Sequence, residues 1–503
     1  MFSKTFFRSA VLLFALSIFG KMLGFVKESM MAAYFGTSTA ADAFYIASMI
    51  PILIFSMVTA SLNTNLIPVT MEWRERHGQA GTTRSLNNLI GALSIVTVLL
   101  VIAGALGAPW LVTLIGPGLT GETRDLAISL TQILFVSLPF TGIATVLTSV
   151  YQAEKKFSLP SLVLMTQSLF IVLAIWLFAG RFDIYAVAGA TVLSAIVQLA
   201  ILAWYTKRTE FRLGWGGEWR DPFLKKMWWL SLPVIISTGP LQIGMAVDRM
   251  FASQLPHGSI AAMNYANTLN QLPIAIFIAS FITIIYPSLA EFAAKGRMDE
   301  YKKSFQQGVS IILFFFLPIS VVFIAYGKDI ISLLYQRGEF DLESASKTYE
   351  GLFYFTLGLV PMALRELFNK AFYCLQNTKT PMMIGIAAIG SNILFNFLLV
   401  GPLGLGGLAL SIALASLVQV VLLFLYLRRA VEGVSLPYRS ILKILLASGV
   451  MWGVFLLCQQ VLPTGILPAV AGMAVGAVVY LAALLLLRFE EMRFLVAKLA
   501  RRR

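Results

Sequence analysis

Cysteine and histidine are almost missing from this chain of 503 residues, which carries two of each. Cys374 and Cys458 fall in apolar segments on different predicted spans, with no metal-type spacing, so neither a disulfide nor a metal cluster is expected. His77 and His257 sit in predicted loops on opposite sides of a membrane, so they share no site. Charge is scarce as well, at 12% of residues. A membrane-embedded glycosyltransferase or phosphatase needs paired acids or a His-centred constellation at the membrane surface. The loops offer only scattered carboxylates such as Glu72, Glu75 and Asp221, so enzyme chemistry is not expected, and no cofactor is called for.

What the chain has instead is apolar length. Hydrophobic residues make up 58% of it, and its mean hydropathy is +0.82. Runs of spanning length recur from end to end, which predicts an all-α polytopic membrane protein. We place spans near 8–34, 44–69, 87–115, 126–152, 160–180, 184–205, 227–255, 266–293, 307–326, 349–375, 382–400, 406–429, 439–462 and 465–488, fourteen transmembrane helices in all. The run after Lys4 and Arg8 is interrupted by Lys21 and lacks a small-residue cleavage site, so it is read as the first span rather than a secretory signal.

An even number of spans puts both termini on one side, and the positive-inside rule makes that side cytoplasmic. Of 38 Lys and Arg, 28 lie in the amino terminus, the even-numbered loops with the span ends abutting them, and the carboxyl tail. Five lie in the opposite loops and five inside spans. The formal charge of +14 is thus topology and attraction to lipid headgroups, and no nucleic acid is implied.

Laid over itself at an offset of about 220 residues, the chain shows an internal repeat. Lys27–Ala33 falls over Val247–Ser253, and Gly36 to Pro51 matches Gly258 to Pro273, each pair fifteen residues apart. Pro68 and Glu72 match Pro287 and Glu291, and YQAEKKFSLP from Tyr151 echoes YCLQNTKTP from Tyr373. Six spans separate equivalent points, so the two six-helix lobes are predicted to share orientation, as in parallel-repeat transporters. The predicted lobes are 1–210 and 211–430, facing each other across a central cavity, followed at 431–503 by two C-terminal helices and a basic cytoplasmic tail. Gly20, Gly24, Pro51, Pro240, Gly244 and Pro273 are the expected helix interruptions.

Charges inside the spans carry the functional signal. A bare charge at mid-bilayer costs roughly 2.5 to 3.5 kcal/mol even on the lenient insertion scale, so it is kept where it faces a bundle interior or watery cavity. Lys21 and Lys27 flank Gly24 in the first span and point to an anionic visitor, although Lys27 can also snorkel or pair with Glu28. Arg249 stands beside Asp248 and points about 100° away from it, so structure and substrate contact are both open. Glu366 and Lys370 have the order and spacing of an intrahelical ion pair, whereas Arg365 has no partner in its own turn or the next. Asn264, Asn267 and Asn270 form a polar stripe that either glues helices or faces sugar hydroxyls. For Asp42, nearness to a helix amino terminus is an adequate reason to be there.

The stretches GKMLGFVKESMMAAYFGTSTAADAFYIASMIP, VDRMFASQLPHGSIAAMNYANTLNQLP, LLYQRGEF and FYCLQNTKTP resemble the MurJ/MviN family of bacterial lipid II flippases. That family lies within the multidrug, oligosaccharidyl-lipid and polysaccharide exporter superfamily. The resemblance covers both lobes and implies a cell-membrane flippase, working by alternating access, that carries the undecaprenyl-diphosphate-linked precursor of peptidoglycan from the inner to the outer leaflet for cell-wall synthesis. Headgroup and diphosphate would occupy the cavity, and the last two helices would offer a groove for the lipid tail. Lys21 and Lys27 stand where the family motif carries arginine, and Asp42 of AADAF matches too. Two family arginines are replaced, one falling near Phe55 and Ser56 and the other on Thr268. Lysine keeps the charge but not the planar fork that grips phosphate. The expected substrate contacts are therefore Lys21, Lys27, Asp42, Arg249 and Arg365, with a lipid-linked precursor and membrane lipids as partners. A monomer suffices for the cavity. The alternatives are an exporter of another polyprenyl-linked glycan and a drug or ion antiporter of the same superfamily.

Overall fold

The computed structural model describes residues 4–489, apart from 157, 210, 462 and 464. Most of the basic tail expected at the carboxyl end, residues 490–503, lies outside the described residues. Among the described residues there is no strand, and the chain is a succession of helices joined by short turns. Eight of these helices are long and apolar enough to cross a membrane, or up to ten if each of two bent pairs counts as one span. The protein is a multi-pass helical membrane protein.

The chain divides into two compact units, Met1–Ala261 and Ala262–Arg503. In the first, the helix Thr39–Ile115 is the hub, packed by Gly121–Phe135, Leu138–Ala153 and Pro222–Ser253. Within these 77 residues Gly78, with φ of 67° and ψ of −176°, is non-helical and divides the run into two helices. In the second unit the hub is Met298–Tyr335, packed by Ala279–Ala294, Leu342–Leu357, Leu359–Cys374, Tyr438–Val461 and Ile466–Leu486. Its core combines aliphatic side chains with buried aromatics, among them Tyr301, Phe305, Phe316, Phe368 and Phe455.

Several helices outrun the apolar segments that announced them. The loops expected at 69–87 and 293–307 are largely helical, because backbone hydrogen bonds continue into polar sequence where hydropathy fades. The expected interruptions also differ. Gly20 and Gly24 lie within the unbroken helix Lys4–Phe35, and Pro51 and Pro240 lie within continuous helices. Pro273, which has no N–H to donate, is followed by a π-helical stretch at Ile274–Ile278. The spans expected at 126–152 and 349–375 are bent by 41° and 44°, the first between Phe135 and Leu138 and the second at Gly358. At Gly358 a Cβ would stand 2.6 Å from Ala413 Cα, so only glycine permits that approach of the helix Lys379–Ala430.

Left-handed backbone marks the breaks in a repeating order. Within residues 4–430, positive φ occurs at Gly36, Gly78, Gly121, Lys155 and Asp183, and again at Gly258, Gly296, Gly338, Gln376 and Gly404, with Gly433, Gly465 and Arg488 following beyond. The paired positions are 222, 218, 217, 221 and 221 residues apart. The bent helices, Gly121–Phe135 with Leu138–Ala153 and Leu342–Leu357 with Leu359–Cys374, follow the same spacing. At Lys155 and Gln376 the helix endings match in detail. Lys156 N–H donates to Tyr151 O at 2.8 Å and Asn377 N–H to Phe372 O at 3.1 Å, the long bond of a Schellman cap in each case.

Candidate substrate site and family

In the first unit the first helix brings Lys27 and Glu28 against the start of the second. Lys27 Nζ lies 2.7 Å from Glu28 Oε1, with the lysine side chain 26% exposed. The other oxygen of Glu28 accepts a 2.6 Å hydrogen bond from the Tyr45 hydroxyl, and both groups are buried. The pairing with Glu28 foreseen for Lys27 is thus made. It leaves the ammonium partly open and fixed in place by a carboxylate that is itself held from a second helix. Lys21 is exposed and stands about 9 Å farther along the same helix, outside this ion-pair chain.

Asp42 is placed by its own helix start, where Ser38 caps the first turn by accepting from Ala41 N–H at 3.3 Å. Its carboxylate does more than complement the local dipole. Oδ2 accepts from Gly258 N–H at 2.6 Å and Oδ1 from Ala261 N–H at 2.8 Å, and the residue is only 3% exposed. Asp42 therefore clasps the first turn of the helix that begins at Ser259. Gly258 has φ of 84°, and a Cβ there would collide with the Thr37 carbonyl oxygen. Nearby, Gly118 N–H donates to Ser253 Oγ at 3.1 Å, so the turns at 36–38, 116–120 and 254–258 are drawn together at one end of the unit.

Arg249 is partly buried on the helix Pro222–Ser253, and the charges acting on it come from Asp248, Asp42 and Glu28, with Tyr45 beside them. The structure thus gathers Lys27, Asp42 and Arg249 into one electrostatic neighbourhood, together with two residues the sequence reading left out of the site, Glu28 and Tyr45. A tyrosine inside an apolar run was the available signal for the second, because a buried phenol needs a partner.

Arg365 belongs to the second unit. The expectation that it lacks a partner in its own turn is corrected: its Nη2 stands 3.3 Å from Glu366 Oε1. The foreseen Glu366–Lys370 pair is replaced, because the Lys370 ammonium lies 5.6 Å from the Tyr286 ring centroid and 5.5 Å from that of Tyr373. The cation–π contacts take Lys370 and leave Glu366 to the arginine. In the asparagine stripe, Asn270 is fully buried and its amide donates to Met362 Sδ at 3.6 Å, which favours the gluing role there.

The three residues at positions where the resemblance implies cations make local contacts instead. Phe55 is buried against Gly142, Ser56 Oγ donates to Leu53 O at 3.1 Å, and Thr268 Oγ1 donates to Asn264 O at 2.9 Å. Among the described residues no group of three or more metal-ligating side chains is found.

The family model described as "Lipid II flippase MurJ" matches residues 31–474, most of the chain. This chain belongs to the MurJ family. Its members are transporters, not enzymes. The lipid II flippase MurJ of Burkholderia cenocepacia is 26% identical over 432 residues, covering 84% of each chain. A solved lipid II flippase MurJ in an inward closed conformation superposes with a TM-score of 0.82 at 23% identity, covering 94% of this chain and 98% of that one. A multidrug resistance MATE family transporter in an inward-facing conformation follows at a TM-score of 0.64 and 17% identity, covering 82% of this chain and 98% of its own. The likeness to both is one of fold, and it is greater to the MurJ structure.

Proposed function

We propose that this protein flips lipid II from the inner to the outer leaflet by alternating access, with the diphosphate received by cations of the first helix. The observation that carries this reading is the Lys27 ammonium, held in an apolar helix by the Glu28–Tyr45 pair and left partly open, in a chain of the MurJ family. Lys21, exposed on the same helix, extends the cationic track, and Arg249 and Arg365 contribute further positive charge. Asp42 acts on this reading as the clasp of one end, because both of its oxygens are taken by backbone N–H groups. Attraction between anion and cations in a low-dielectric setting differs between open and closed states, and that difference drives the conformational change.

The fourteen-span, two-lobe arrangement with both termini cytoplasmic belongs to the same proposal. Residues Thr39–Ile115 and Lys379–Ala430 are each long enough for two crossings, and each is turned near its middle, at Gly78 and Gly404. With those divided, the two bent pairs counted once each, and Lys4–Phe35 and the Ser259–Ala294 run added, the helices reach fourteen. The recurrence of positive-φ breaks at a spacing of 217–222 residues supports a parallel repeat.

A second reading, transport of another polyprenyl-linked glycan, is favoured by one observation: Phe55, Ser56 and Thr268 carry no charge at the positions where the family resemblance implies arginine. One experiment separates the two. As the only copy in a bacterium depleted of its own lipid II flippase, the gene is expected to restore growth, and Lys21→Ala and Lys27→Ala are each expected to abolish rescue at unchanged membrane levels. No rescue by well-expressed wild-type protein would move the reading to another glycan. Full rescue by both variants would remove the cationic site.

A further inference from the structure

We infer that the segment joining the helices Ile184–Tyr205 and Pro222–Ser253 is a pre-ordered anchor that binds anionic phospholipid headgroups at the membrane surface. Residues 211–218 have no helix or strand, yet they are pinned. Asn87 donates from its amide to Arg212 O at 3.1 Å, accepts from Gly214 N–H at 3.0 Å, and offers its backbone carbonyl to Gly216 N–H at 3.2 Å. Asn88 accepts from Glu218 N–H at 3.3 Å and donates to Asp221 at 2.8 Å, and Arg84 pairs with Glu218 at 3.0 Å. In this strap Phe211 is buried, a Cβ at Gly91 would collide with the Gly216 carbonyl oxygen, and a Cβ at Gly216 would collide with Asn88.

Such anchoring is spent on a segment whose outer side chains are tryptophan and basic. Trp215 is 69% exposed, Trp219 56%, and the flanking Trp204, Trp228 and Trp229 between 56% and 66%. Lys207, Arg208, Arg212, Arg220 and Lys225 are exposed among them, and the Arg208 guanidinium lies 4.9 Å from the Trp204 ring centroid. The segment holds three carboxylates, Glu210, Glu218 and Asp221, against the five basic residues named; Glu218 is held by Arg84 and Asp221 caps the next helix by accepting from Phe223 N–H, so the balance is basic.

The level of the strap selects the partner. It rests on Gly91, at the start of an apolar run, and it links two apolar helices at their ends, where tryptophan rings favour the headgroup zone. Exposed lysine and arginine at that level match the negative potential of a leaflet containing anionic lipid. A strap already ordered by Asn87 and Asn88 loses little conformational freedom on contact, which favours binding.

The test uses the full chain reconstituted in nanodiscs of mixed phosphatidylglycerol and phosphatidylcholine. With spin-labelled lipids, the wild type is expected to select phosphatidylglycerol, and the combined variant Lys207→Gln, Arg208→Gln, Arg212→Gln, Arg220→Gln is expected to lose that selectivity by about tenfold. Because charge removal can disturb folding, a second measurement leaves every basic residue in place. A nitroxide attached at Leu213→Cys, with Cys374→Ser and Cys458→Ser, is expected to relax more with oxygen than with a water-soluble nickel chelate. A nitroxide relaxed mainly by nickel would overturn the proposal, as would equal lipid selectivity in wild type and variant.

Discussion

Asp42 spends both carboxylate oxygens on backbone N–H groups more than two hundred residues away, and this clasp was not legible in the sequence, where only its own helix start was visible. Hydrogen bonds to a charged group contribute about 1.5 to 3 kcal/mol each, so Asp42→Ala is expected to destabilise the protein by about 3 kcal/mol, with Asp42→Asn intermediate, in thermal unfolding in detergent. Gly258→Ala is expected to cost more than about 1 kcal/mol in the same assay, since it combines a left-handed φ with a clash against Thr37. The cations of the first helix could be read from the sequence because charge in an apolar run is conspicuous. The Lys27–Glu28 pair could be read as well, but the Tyr45 hydroxyl that holds Glu28 could not, nor could the Tyr286 ring beside Lys370 in the second unit, because both contacts come from tertiary packing that no local spacing encodes.

Hydropathy reported at the level of elements where the chain is apolar, but helices end where hydrogen bonds end. That is why the 38-residue helix Met298–Tyr335 overran its expected span at both ends. Caps are the exception, being written in sequence: Asp341 accepts from Ser344 N–H at 2.8 Å and starts the helix Leu342–Leu357. That bond holds the Asp341 carboxyl below its ordinary range. Its capping contribution is therefore complete above the ordinary carboxylate pKa and is lost as pH falls through the depressed value. Asp341→Ala is expected to cost about 1 kcal/mol. In hydrogen exchange, Ser344 and Ala345 should gain protection less steeply with acidification than neighbouring helix amides, and the variant should remove that difference.

Across the whole molecule, the polytopic helical class and the family were legible because they rest on features spread over hundreds of residues. The positive-inside count makes an orientation testable: a green fluorescent protein fused after Arg503 is expected to fluoresce, and alkaline phosphatase placed there is expected to be inactive. Native mass spectrometry is expected to give the mass of one 55.2 kDa chain with bound lipid. The paired left-handed turns bear on how a repeat is recognised. Glycine faces glycine across three of the five pairs, but Lys155 corresponds to Gln376 and Asp183 to Gly404. At those two pairs the residue type differs while the left-handed torsion is common to both positions. A repeat of this kind is better traced by dihedral angles than by residue identities.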